Sequence, residues 1–127
     1  LFGKKVEKTL DIDSLIGENI RIIGRVEGKG NLRIDGVIEG DVDYKGDIII
    51  GETGNIKGNI SCDDISLSGT VNGNIKSNAK LTLLPTGKLI GDVEVLNLIV
   101  HENAFFEGNC KMGNVKNVKE DLKTQRD

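Results

Sequence analysis

One short glycine module recurs six times along the chain, and it restricts the fold more than any other feature. Its copies are Gly24-Arg-Val26-Glu-Gly28, Gly36-Val-Ile38-Glu-Gly40-Asp-Val42, Gly54-Asn-Ile56-Lys-Gly58-Asn-Ile60, Gly69-Thr-Val71-Asn-Gly73-Asn-Ile75, Gly87-Lys-Leu89-Ile-Gly91-Asp-Val93 and Ala104-Phe-Phe106-Glu-Gly108-Asn-Cys110. The modules begin at 24, 36, 54, 69, 87 and 104, giving steps of 12, 18, 15, 18 and 17. Self-similarity at such a period is the mark of stacked repeats, and a stack has two open ends.

Between modules the apolar spacing is two: Leu32-x-Ile34, Ile48-x-Ile50, Ile65-x-Leu67, Leu81-x-Leu83 and Leu98-x-Val100. That is the period of a strand, not of a helix. One repeat therefore reads as three short strand segments separated by Gly, Asn and Asp corners, residues that tolerate a left-handed backbone. Glycine at this density would cost a helix about 1 kcal/mol per position relative to alanine. Strands this short do not make a sandwich, but they can coil so that equivalent residues stack about 4.8 Å apart. The reading is an all-β chain forming one parallel β-helix of about six turns. Val26, Ile38, Ile56, Val71, Leu89 and Phe106 are expected in one inward ladder, with Val42, Ile60, Ile75, Val93 and Cys110 in another.

Composition agrees. The 127 residues suit one domain, and 17 glycines with few aromatics leave Ile, Leu and Val to build the core. The formal charge of −3, mixed in sign, argues against a nucleic-acid groove. Cys62 and Cys110 match no metal spacing and make no disulfide framework. No apolar run approaches the ~20 residues that span a bilayer. Residues 1–16 alternate charged and apolar side chains, unlike a signal peptide, and Leu1 is compatible with an initiator position. A cytoplasmic location is expected. Three zones follow: residues 1–15 as a flexible N-terminal segment, 16–112 as the β-helix and 113–127 as a polar disordered tail.

The runs Ile16-Gly-Glu-Asn-Ile20-Arg-Ile22-Ile-Gly24, Leu32-Arg-Ile34-Asp-Gly36-Val-Ile38-Glu-Gly40-Asp-Val42 and Ile50-Gly-Glu-Thr-Gly54-Asn-Ile56-Lys-Gly58-Asn-Ile60, with the closing Phe106-Glu-Gly108-Asn-Cys110-Lys-Met112, resemble the bactofilins. The resemblance spans residues 16–112. It implies a right-handed β-helix of triangular section and self-assembly into filaments without bound nucleotide. It also implies a scaffold at the inner face of the cytoplasmic membrane that recruits cell-wall, shape or motility factors.

The residues give their own reason to polymerise. An uncapped solenoid leaves backbone groups and apolar bore exposed at both ends, and two such ends on one rod produce open filaments. Phe105 and Phe106, in the last module, are expected at the C-terminal end contact, and Ile20 and Ile22 at the N-terminal one. Leu1, Phe2, Lys4 and Lys5 combine apolar insertion with cations for anionic headgroups, a candidate membrane-binding peptide whose effect a filament multiplies.

Enzymatic readings fare worse. A hexapeptide-repeat acyltransferase needs a strict six-residue step, which the 15- and 17-residue steps break, and a catalytic histidine, whereas His101 has no partner acid at a useful spacing. Gly3-Lys4, Gly28-Lys29 and Gly87-Lys88 lack phosphate-loop spacing, so no nucleotide is expected. Asp41, Asp43 and Asp47 lack the calcium nonapeptide pattern, and no metal or other cofactor is expected. A monomeric β-helical adaptor remains the non-enzymatic alternative.

Overall fold

The computed structural model describes residues 12–112. Its strands are β1 (Ser14–Ile16), β2 (Arg21–Ile23), β3 (Val26–Ile34), β4 (Val37–Glu39), β5 (Val42–Ile50), β6 (Asn55–Lys57), β7 (Ile60–Cys62) and β8 (Ile65–Leu67). They continue as β9 (Thr70–Asn72), β10 (Ile75–Ser77), β11 (Lys80–Leu83), β12 (Lys88–Ile90), β13 (Val93–Val95), β14 (Asn97–Val100), β15 (Phe105–Glu107) and β16 (Cys110–Met112). Every pairing is parallel, and each strand lies beside the equivalent strand of the turn before and after. The result is a parallel β-solenoid of about six turns with three faces. The expected boundary at residue 16 falls inside β1.

The first face is the six-stranded sheet β2-β4-β6-β9-β12-β15. The second stacks the leading halves of β3 and β5 with β7, β10, β13 and β16. The third stacks β1, the trailing halves of β3 and β5, then β8, β11 and β14. In β3 and β5 the second and third faces are one strand bent at Gly30 and Gly46, both at positive φ. Alternation sends one set of side chains into the bore. Ile34, Ile38, Ile50, Ile56, Leu67, Val71, Leu83 and Leu89 are all fully buried there. Burial of each such side chain is worth about 1.5–3 kcal/mol.

Two stacking devices hold the turns in register at the corner between the first and second faces. Gly24, Gly40, Gly58, Gly73, Gly91 and Gly108 stack directly, so that a Cβ on any of the later five would collide with the carbonyl oxygen of the glycine below. From Gly40 to Gly91, the residue after each glycine supplies the second device. Asp41 Oδ1 accepts the Asn59 N–H at 2.9 Å, Asn59 Oδ1 accepts the Asn74 N–H at 3.0 Å, Asn74 Oδ1 accepts the Asp92 N–H at 2.9 Å, and Asp92 Oδ1 accepts the Asn109 N–H at 3.1 Å. The recurring Gly-Asx dipeptide is thus a corner that both admits the next turn and hydrogen-bonds it.

The register corrects one alignment. Val26 pairs with Val42, and it is Ile22 that pairs with Ile38. The first-face ladder therefore runs Ile22, Ile38, Ile56, Val71, Leu89, Phe106, and the 12-residue first step becomes 16. Gly24-Arg-Val26-Glu-Gly28 imitates the module but straddles the next corner. From each first-face ladder residue to its second-face partner the chain always advances four residues, as from Ile38 to Val42 or Leu89 to Val93. The other two corners absorb all the variation. The corner into the first face is a hydrogen-bonded turn closed by Gly51 O accepting the Gly54 N–H, Leu84 O accepting the Gly87 N–H, and His101 O accepting the Ala104 N–H, while shorter bends at Asp35-Gly36 and Ser68-Gly69 serve the turns between. Tyr44, which the glycine pattern passes over, is a buried ring in the bore, and Gly28 beneath it leaves the ring its space.

Gly91 (φ +147°), packed on the Gly73 carbonyl below it, allows a direct check. Gly91→Ala is expected to lower stability by at least about 2 kcal/mol in urea unfolding at fixed protein concentration. Gly17→Ala, with no atom within 4 Å of the added methyl, should change it little.

Candidate polymerisation ends

The ladders that fill the bore must stop, and where they stop defines the candidate site. Along the first face, Ile38, Ile56, Val71 and Leu89 are 0% exposed, whereas Ile22 at one end and Phe106 at the other are only partly buried. No further rung covers them among the described residues. The same opening occurs on the other faces. At the C-terminal end Leu98 and Val100, in register with Leu81 and Leu83, and Cys110 and Met112, in register with Val93 and Val95, are half-buried or exposed although their partners are buried. At the N-terminal end Ile22 and Val26 are half-open, and Ile16 is nearly covered. The strands β2 at one end and β15, β14 and β16 at the other are sheet edges among the described residues, each presenting unpaired backbone groups.

Among the described residues each end therefore offers an apolar layer ringed by strand edges. An ordinary monomeric solenoid covers such a layer with a polar cap.

The residues singled out in the sequence separate into two kinds. Phe106 and Ile22 lie in the terminal bore layers, at opposite ends of the same sheet. Phe105 does not point into the bore. It lies on the outer side of the first face, 46% exposed, with Lys88 Nζ 5.5 Å from its ring centroid. Ile20 sits in the corner before β2, also 46% exposed. Its N–H donates to Gly17 O, and its carbonyl accepts the Val37 N–H. Leu1, Phe2, Lys4, Lys5 and the 113–127 tail lie outside the described residues. The inward positions Val26, Leu98, Val100, Cys110 and Met112 were passed over as end residues, and the signal for them was available. They occupy the first and last copies of ladders visible in the sequence.

The two thiols differ sharply. Cys62 is buried in the bore, and burial, reinforced by Asp63, Asp47 and Asp64, pushes its pKa up to about 12. Cys110 lies in the exposed terminal layer, and partial desolvation also raises its pKa. Among the described residues no group of three His, Cys, Asp or Glu side chains is placed to hold a metal ion, and no helix is long and apolar enough to cross a membrane.

A rod of stacked parallel strands with uncovered apolar ends is the structural class of self-associating solenoids. The family-model comparison places this chain within it. Residues 14–111 match the family described as "Bactofilin: Polymer-forming cytoskeletal", and the chain belongs to the bactofilins. It is 29% identical over 115 residues to bactofilin BacP of Myxococcus xanthus (strain DK1622), covering 90% of this chain and 48% of that protein. It thus spans about half the length of that relative. With bactofilin BacO of the same organism it shares 28% identity over 104 residues, 82% of each chain. Among solved structures, it resembles the cryo-EM reconstruction of Thermus thermophilus bactofilin double helical filaments (TM-score 0.72, 25% identity, 76% of this chain and 96% of that one). It also resembles bactofilin BacA solved by solid-state NMR (TM-score 0.62, 34% identity, 76% of this chain and 91% of that one).

The terminal position of Cys110 makes it a reporter of its own end. In unassembled chains a thiol alkylating reagent is expected to modify Cys110 and leave Cys62 untouched, as mass spectrometry of the peptides would show. Assembly through the C-terminal end should slow Cys110 modification at least about tenfold, because a covered thiol is reached only through local opening.

Proposed function

We propose that the chain assembles end to end into nucleotide-independent filaments that serve as a bacterial cytoskeletal scaffold. The opening of the bore ladders at both ends carries this reading. Positions that are dry inside the rod are wet at its termini, and stacking another copy there removes both the apolar exposure and the unpaired strand edges. Phe106 is the anchor at the C-terminal end, since it is the largest side chain in that layer. Val100 and Met112 complete the apolar layer around it. Ile22 and Val26 fill the equivalent role at the N-terminal end, with Ile20 beside them. Phe105 contributes from the rim. The filament reported for the Thermus relative supports the reading, and by the same analogy two filaments of this chain wind together.

Phe106→Arg places a charge in the terminal layer without touching the interior rungs. The wild-type chain is expected to pellet on ultracentrifugation and to show filaments by electron microscopy, and the variant to stay in the supernatant with an unchanged circular dichroism spectrum. A variant that pellets as wild type does would reject this end as the contact.

The N-terminal peptide favours a peripheral position at the inner face of the cytoplasmic membrane, from which the filament recruits cell-wall, shape or motility factors. Leu1 and Phe2 insert, while Lys4 and Lys5 meet anionic headgroups at about 1 kcal/mol each. A single copy binds weakly, but a filament binds through many. Co-sedimentation with vesicles containing phosphatidylglycerol is expected for wild-type filaments. It should be lost when residues 1–5 are removed, with filament formation retained.

A further inference from the structure

The three faces differ in what they turn outward. On the second face the outward column reads Glu27, Asp43, Ser61, Lys76, Glu94, Lys111. The first face mixes Arg21, Glu39, Lys57, Lys88 and Glu107 with the apolar Ile23, Val37, Ile90 and Phe105 among its outward residues. On the third face the outward column is Leu15, Arg33, Ile49, Ser66, Thr82, Ile99, stacked in register from one end of the rod to the other. Its single ionisable member, Arg33, is held by Asp35 at 3.0 Å. Ile49 is 37% exposed and Ile99 43% exposed although both are large and apolar, while the neighbours of Ile49 in β5, Ile48 and Ile50, are buried. Asp47, Asp64 and Lys80 stand beside this column, forming a charged rim to a centre whose one charge, on Arg33, is neutralised by Asp35.

We propose that this third face is where a second filament of the same chain docks, a reading that rests on the end-to-end assembly above. Self-complementarity selects the occupant. A copy of this chain brings the same net negative charge, and a contact through the second or first face would set like charges against one another at many axial offsets. The third face sets Leu, Ile, Ser and Thr against their own kind over most of its length in either direction, with Arg33 neutralised by Asp35. Stacking copies end to end also repeats the column along the filament, with Leu15 and Ile99 at its two ends in every copy. Its size determines when it acts. Six rungs about 4.8 Å apart and strands about 10 Å wide give only a few hundred Å² per copy. That is well below the roughly 800 Å² per partner of a stable complex. Single rods therefore do not pair, and pairing appears only when polymerisation lines up many copies.

Cryo-electron microscopy of assembled full-length chain tests this. Wild type is expected as paired filaments, and the double variant Ile49→Lys with Thr82→Lys as single filaments of about half the mass per unit length. Ser61→Lys, which adds a charge to the second face, should keep the pairs. Thr82→Glu alone is the milder variant. It should also give single filaments, and it decides the matter if the double variant does not fold. Paired filaments in the folded third-face variants, or single filaments in wild type, would overturn the proposal and leave end-to-end assembly standing. Folded third-face variants that make no filament would overturn it by placing the face in the end contact. Pairs lost on removing residues 1–11 but kept in the third-face variants would assign the pairing to that segment. Wild type that makes no filament would instead overturn end-to-end assembly itself.

Discussion

The close approach of successive turns at the Gly-Asx corner is the constraint on which the rest of the rod depends. Parallel strands about 4.8 Å apart leave no room for a Cβ at a corner where one carbonyl sits over the next residue, so glycine recurs there in all six turns. In the four turns from Gly40 to Gly91 the following Asx side chain then accepts the next turn's N–H, which secures a corner that glycine alone would leave loose. With that corner locked at a constant four-residue advance, the other two can vary. They do so within limits, by exchanging a hydrogen-bonded turn for a short bend. Bore residues stay in register despite steps between 15 and 18 residues because the strands between corners keep their length and phase.

That division of labour explains what could be read from the sequence. The period-two pairs and the glycine corners are local signals, and they yielded the parallel solenoid, its three segments per turn and most of the inward ladders. Val26 was assigned to the wrong ladder because Gly24-Arg-Val26-Glu-Gly28 has the spacing of the module while lying across a corner, and only strand pairing distinguishes the two. Tyr44 went unnoticed in the bore for a related reason. Its place depends on Gly28 one turn below, a contact between residues that no local pattern connects. The end residues divide in the same way. Phe106 and Ile22 follow from ladder phase, whereas Phe105 faces outward because neighbouring strand residues point to opposite sides, and Ile20 sits in the turn before β2 begins.

The ends and the sides of the rod pose different physical problems. An end exposes a few large apolar side chains together with strand edges, a concentrated defect that one partner copy removes at once. A side exposes a long but shallow strip in which no single side chain contributes much. Binding free energy at the end is therefore local, and at the side it accumulates with the number of aligned copies. In the proposed assembly the same chain carries both contacts without aggregating indiscriminately, because the lateral contact is too small to act before the axial one has formed. Charge placement enforces the order. The second face and the corners keep mixed charges toward solvent and disfavour contact between misaligned rods, while the column along the third carries a single charge, Arg33, paired with Asp35. On the proposed assembly, order in the polymer follows because the weakest self-complementary surface becomes effective only after the strongest one has been satisfied.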